Sequence, residues 1–218
     1  MAKRFDLLIF DWDGTLLDSA GAIVRAINGA CRDLGLLAPS EARARHVIGL
    51  GLREALQHAV PELPEARYHE LVERYRHHYL SRDHELQLFH GVAELIAELS
   101  AAGFLLAVAT GKSRLGLDRA LQHSGLGGYF HASRCADECL SKPHPQMLEE
   151  LLAELSVERA RALMIGDTTH DLGMANSAGV AGLAVAYGAH PAAALDALQP
   201  LARVHRIEEL AEWLRRNA

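Results

Sequence analysis

Four stretches of this chain are apolar without alternation: residues 7–10, 105–109, 162–165 and 182–186. A strand with one wet face alternates apolar and polar residues, whereas an unbroken run is dry on both sides. Between and after these runs the period is helical. Residues 90–103 close at Gly103, residues 115–123 close at Gly125, and further helical stretches cover 145–155 and 172–178. A short strand at 130–133, a weak one at 203–205 and a closing helix at 208–216 complete the series. Strands alternating with helices predict an α/β fold, a doubly wound parallel sheet covered on both faces.

The first two apolar runs are separated by more than 90 residues. A parallel crossover needs only about a dozen. The surplus reads as helical throughout. Ile23, Ile27, Cys31 and Leu34 repeat at helical spacing, a second stretch surrounds residues 40–48, and GLGLREALQHAV follows. Tyr68, Leu71, Val72, Tyr75 and Tyr79 then share one face of a helix over 65–79. The expected organisation is a catalytic core of residues 1–15 and 86–218, with residues 16–85 as an inserted all-helical cap. Open parallel sheets bind ligands beyond the carboxyl ends of their strands. The insertion leaves from that edge, where it can act as a lid.

The bulk numbers exclude some classes. A formal net charge of −6 argues against a nucleic-acid partner. No stretch reaches the 18 or so apolar residues of a membrane span, and the run before Asp11 is too short for a signal peptide. Cys31, Cys135 and Cys139 show no CxxC spacing and read as reduced structural thiols. These features predict a cytoplasmic protein without membrane contact, a monomer or a homodimer.

Chemistry gathers at the strand ends. The first run ends in Asp11-Trp12-Asp13-Gly14-Thr15, the second in Thr110-Gly111, and the run at 162–165 leads into Gly166-Asp167-Thr168-Thr169-His170-Asp171. Ser141-Lys142-Pro143 precedes the helix near residue 145. Adjacent carboxylates raise each other's pKa and resist burial, so Asp11 and Asp13 either lie exposed in a loop or have something positive between them. Asp11, Asp13, Asp167 and Asp171 form an oxygen-rich set that suits Mg²⁺. An aspartate can also accept a phosphoryl group as nucleophile. The Thr110 hydroxyl, main-chain N–H groups near Gly14 and Gly111, and the Lys142 ammonium can hold phosphoryl oxygens.

In this order DWDGT, Thr110-Gly111, Lys142 and GDTTHD resemble the four motifs of the haloacid dehalogenase superfamily, with the helical insertion in place of that family's small cap. The resemblance spans the whole chain and implies roles. Asp11 attacks phosphorus to form an aspartyl-phosphate and ligates Mg²⁺. Asp13 protonates the leaving oxygen and then activates water, while its carbonyl ligates the metal. Thr110 and Lys142 grip the phosphoryl group, Asp167 ligates Mg²⁺, and Asp171 ligates it or orients its waters. Trp12 is similar to the phosphonate-cleaving members, but those lack an aspartate at position 13. The implied substrate is a small phosphate monoester. DGTLLDS and KPHP resemble phosphoglycolate phosphatase-like enzymes, with sugar-phosphate mutases of the β-phosphoglucomutase type as the alternative. Arg53, in the insertion, is read as a contact to the non-phosphate end of the substrate.

Other signals lead elsewhere. Gly111-Lys112-Ser113 suggests a nucleotide-binding P-loop, but Leu106 stands where that motif needs glycine. Gly49-Leu50-Gly51 starts a dinucleotide fingerprint that ends in Glu54. The 13 histidines include no HExxH, and His77 and His78 point to different helix faces, so no zinc site is expected and most histidines read as surface residues. Asp18 and Ser19 read as capping residues of the first helix. His170 lies inside the fourth motif, where it can tune the site.

Overall fold

The computed structural model describes residues 3–218. Met1 and Ala2, which open the expected core segment 1–15, lie outside the described residues. Six parallel strands form one sheet in the order β3-β2-β1-β4-β5-β6. They are β1 (Leu7–Phe10), β2 (Leu105–Thr110), β3 (Ala132–Cys135), β4 (Ala162–Gly166), β5 (Ala181–Val185) and β6 (Arg203–Val204). The chain winds outward from β1 through β2 to β3, then returns to the other side of β1 and winds outward again. Direction reverses between β1 and β4, which pair from Leu7↔Ala162 to Phe10↔Ile165. That switch point is where a crevice opens in such sheets.

The unbroken apolar runs are explained by two cores. Successive strand residues face opposite sides. Leu8 and Phe10 of β1 meet Leu106, Val108, Leu163 and Ile165 on one face, with Ile96 of α5 (Val92–Ala101), Leu117 of α6 (Arg114–Ser124) and Leu210 of α10 (Ile207–Asn217). Leu7 and Ile9 meet Ala107, Ala109 and Met164 on the other, under Leu148 of α7 (Gln146–Leu155) and Met174 of α8 (Thr169–Ala178). A short α9 (Ala192–Asp196), absent from the sequence reading, contributes Leu195 to a small cluster with Ala184. Edge strand β3 starts two residues later than expected, because the pairing register sets Ala107 opposite Ala132. Helix α8 starts three residues earlier than expected. Thr168 caps it, accepting a hydrogen bond from the Asp171 N–H while its own N–H donates to the Asp171 carboxylate.

The insertion builds its own apolar centre from α1 (Ala20–Asp33), α2 (Glu41–His46), α3 (Leu52–Ala59) and α4 (Tyr68–Leu80). Ile27, Cys31, Leu56, Tyr68 and Leu71 are buried there, with Tyr75 and Tyr79 packed alongside. The outgoing and returning chains lie against each other. Leu17 bridges Leu88 antiparallel, the Phe89 N–H donates to the Leu16 carbonyl at 3.0 Å, and the Asp18 N–H donates to the Gln87 carbonyl at 3.0 Å. Among the described residues no helix is long and apolar enough to cross a membrane.

The sheet core is tight enough for one residue to report on it. Leu106 of β2 is wholly buried. Leu106→Ala is expected to lower unfolding stability by about 2–5 kcal/mol in urea denaturation; a loss under about 1 kcal/mol would mean the site relaxes without a cavity.

Candidate active site

Each strand end delivers its side chain to the crevice at the switch point. Asp11 follows β1 directly and its N–H donates to the Ile165 carbonyl at 2.9 Å, which locks it beside β4. Asp167 follows β4, and Asp171 sits one turn into α8. Lys142 enters from the loop before α7. All four are buried. The Lys142 ammonium lies 2.7 Å from Asp11 Oδ1 and 2.7 Å from Asp171 Oδ1. The second Asp171 oxygen accepts from the Thr168 N–H and hydroxyl, at 3.0 and 2.7 Å. Asp167 accepts from the Thr15 hydroxyl at 2.8 Å and the Ala189 N–H at 2.7 Å. Asp11 Oδ2 is buried with no hydrogen-bond partner.

Three carboxylates therefore face one ammonium. Burial pushes Asp11 well above the usual carboxylate range; Lys142 opposes this, while Asp171 and Asp167 add to it. Burial, with the charge of Asp171, pushes Asp167 up to about 7. Burial alone would lower the Lys142 pKa, but Asp11 and Asp171 outweigh it and raise it. The carboxyl oxygens of Asp11, Asp167 and Asp171 lie within 4.8 Å of one another. A full set of ionised carboxylates leaves two negative charges uncompensated, which fits a hard divalent cation with oxygen preference.

Asp13 belongs to a different environment. Its Oδ2 lies 3.0 Å from the Lys112 ammonium, and its Oδ1 accepts from the Ser19 hydroxyl at 2.6 Å. Lys112 also donates to the Tyr79 hydroxyl at 3.0 Å. Burial and the nearby Asp13 push Tyr79 up to about 12. The two aspartates of DWDGT thus do not share a side-chain cluster, and Trp12 between them is buried against Phe130.

The structure revises several expectations. Ser19 stands at the α1 N-cap without capping it, since its hydroxyl goes to Asp13 instead. The Gly14 N–H donates to the Leu17 carbonyl at 2.9 Å and so is not free for a ligand. Gly14 is needed for space and backbone: its φ is +85°, and a Cβ there would come within 2.3 Å of Asp167 Oδ2. Arg53 does not join the cluster; its guanidinium pairs with Glu65 on the exposed side of the insertion. Thr110 is buried and its oxygen accepts from the Lys112 N–H at 3.2 Å, leaving its hydroxyl proton free to donate. Lys112, set aside with the P-loop signal, contacts Asp13; its position two residues past Thr110, at a strand end, was the available cue.

The insertion lies across this edge. A Cβ on Gly111 would meet the Gly49 and Leu50 carbonyls at 2.5 Å, so only glycine lets the backbones approach there. The Gly51 N–H donates to Ser141 Oγ at 3.0 Å. His46 of α2 meets His170 and His190, a grouping that the spacing of the histidines in the sequence does not announce. The Nε2 atoms of His170 and His190 donate to the His46 carbonyl at 2.7 and 3.1 Å. Burial lowers the pKa of both, His190 to about 4, so their rings are neutral near pH 7.

Removing the one buried cation tests this balance. Lys142→Met preserves length but leaves the carboxylates without their partner. The expected loss is about 3–5 kcal/mol in metal-free denaturation, the cost of an uncompensated buried charge.

Comparison with known proteins agrees with this geometry. Residues 8–185 match the family model described as haloacid dehalogenase-like hydrolase. The protein named "Probable phosphatase IndB" of Dickeya dadantii is 37% identical over 94% of this chain and 91% of its own length. The phosphoglycolate phosphatase of Agrobacterium fabrum is 32% identical over 84% of this chain and 81% of its own. Among solved structures, the haloacid dehalogenase-like family protein SP0104 of Streptococcus pneumoniae superposes with a TM-score of 0.83 at 25% identity, covering 96% of this chain and 98% of that one. With strand-end aspartates, lysine and sheet order all in register, the chain belongs to the haloacid dehalogenase-like hydrolases.

Proposed function

We propose that the protein is a Mg²⁺-dependent hydrolase of small phosphate monoesters that works through an aspartyl-phosphate on Asp11, with residues 16–85 as its cap. The observation that carries this reading is the buried cluster of three carboxylates in which one ammonium pairs with only two, Asp11 and Asp171, and Asp11 Oδ2 has no partner. The name of the A. fabrum relative supports a phosphoglycolate-like substrate.

Asp11 Oδ2, without a hydrogen bond to break, attacks phosphorus. The ester oxygen leaves as the P–O bond breaks and takes a proton from Asp13. A water then gives its proton to Asp13 and attacks the same phosphorus, which releases inorganic phosphate and restores the Asp11 carboxylate. Asp13, held by Ser19 and Lys112 outside the Asp11 cluster, is the carboxyl group assigned both proton transfers. Lys142 and the Thr110 hydroxyl take the phosphoryl oxygens. Asp171, whose two oxygens hold Lys142 and Thr168, serves mainly to position Lys142. Asp11 and Asp167, with the Asp13 carbonyl and help from Asp171, are the residues that would hold Mg²⁺. When bound, the ion supplies positive charge to the aspartates and to a phosphoryl oxygen. The insertion excludes water from the crevice.

Two measurements test this reading. Asp11→Asn is expected to cut phosphate release from phosphoglycolate and related esters by about 10⁴-fold or more. Activity surviving that substitution would remove the nucleophile assignment. The second is a stability experiment. Asp167 has a folded pKa near 7, raised by burial, against a reference of 3.8. Such a group stabilises the fold while protonated, and that contribution is lost as pH rises from the unfolded pKa through the folded one. Metal-free protein should therefore lose stability between about pH 4 and pH 7.5, and Mg²⁺ should raise Tm more at the upper pH than at the lower. An equal Mg²⁺ effect at both would contradict the assignment.

A further inference from the structure

We propose that His46, His170 and His190 form a second metal site, chemically distinct from the carboxylate cluster, at the seam between the insertion and the sheet. The three imidazoles come from separate segments: the last residue of α2, the first turn of α8 and the loop after β5. Their ring centroids are 5.3, 5.1 and 5.2 Å apart. Each offers a ring nitrogen within 4.8 Å of the other two. His190 is buried, His170 half-buried, and His46 reaches solvent, which gives an ion a path in.

Neutral imidazole nitrogens select Zn²⁺, Ni²⁺ or Cu²⁺, whereas Mg²⁺ prefers oxygen. The two clusters therefore sort ions by donor type. Thr169 provides the supporting contact that metal-bound histidines usually have. Its N–H and its hydroxyl lie 3.0 and 3.2 Å from His190 Nδ1. In the metal-free form the N–H donates to Nδ1, and Nε2 carries the proton toward the His46 carbonyl. With the proton moved to Nδ1, the Thr169 N–H gives up that acceptor, the ring donates to the Thr169 hydroxyl instead, and Nε2 presents its lone pair. The ring stays neutral throughout, and the N–H to carbonyl contact is exchanged for a nitrogen–metal bond.

His46 rides on the insertion, while His170 and His190 belong to the sheet unit. An ion held by all three fastens one to the other. This consequence rests on the hydrolase reading above: if the cap must move for turnover, Zn²⁺ slows turnover from outside the crevice.

The test is calorimetric titration of Zn²⁺ into the full chain with excess Mg²⁺, for wild type, His46→Gln and His170→Gln, with circular dichroism to confirm folding. One Zn²⁺ per chain is expected, and affinity should fall by at least about 100-fold in His46→Gln, the upper end of what losing even a supporting contact costs. Co²⁺ should give the visible absorption of an imidazole-bound ion in wild type and lose it in both variants. Phosphate release without Zn²⁺ should be unchanged in His46→Gln, and the Zn²⁺ concentration for half-inhibition should rise by the same factor. No Zn²⁺ binding to wild type, or equal binding to His46→Gln, would overturn the site and leave the histidines a hydrogen-bonded seam. Binding without inhibition would overturn the fastening role alone. If no ester is hydrolysed, the hydrolase reading fails, while calorimetry and the Co²⁺ spectrum still decide the site.

Discussion

One buried ammonium between two buried carboxylates organises this molecule. Lys142 touches Asp11 at the end of β1 and Asp171 in α8, at 2.7 Å each, and all three side chains are buried. A pair so buried is costly unless its geometry is good and its remaining lone pairs are satisfied. Here the satisfaction comes from the fold: Thr168 closes off Asp171, and the Ile165 carbonyl ties the Asp11 backbone to β4. The strand order, the capped start of α8 and the loop before α7 therefore meet at one point. The atom left without a partner, Asp11 Oδ2, is the one the proposed chemistry needs.

The same charge logic separates the two aspartates of DWDGT. Side chains one residue apart on either side of Trp12 reach different surroundings, Asp11 among carboxylates and Asp13 beside Lys112 and Ser19. Two carboxyl groups in unlike environments can take unlike roles in one reaction. The two acids tolerate being neighbours behind a buried strand because each pairs with an ammonium of its own, Lys142 for Asp11 and Lys112 for Asp13.

Much of this was legible in the chain. Unbroken apolar runs announced a sheet dry on both sides, and polar residues directly after those runs announced the crevice, because strand direction and switch point leave few other places for them. Contacts between distant segments were not legible. Nothing near Lys112 in sequence pairs it with Tyr79, 33 residues away, and nothing near His46 announces His170 and His190. The partner of Arg53 was not legible either. A helical arginine near the crevice in sequence has two sides to face, and Glu65 drew it outward. Ser19 fits a cap by sequence, but a buried carboxylate competes better for its hydroxyl than a helix N–H does.

The antiparallel contact between Leu17 and Leu88 makes the two connecting segments a paired ribbon rather than two independent strings. A body attached by a paired ribbon swings about one line and does not wander. Ser19, two residues beyond Leu17, begins α1 and grips Asp13. A swing of the helices would therefore pull on Asp13, the carboxylate proposed to carry protons. Such a lever has the paired ribbon as its pivot and Asp13 at the end of its short arm.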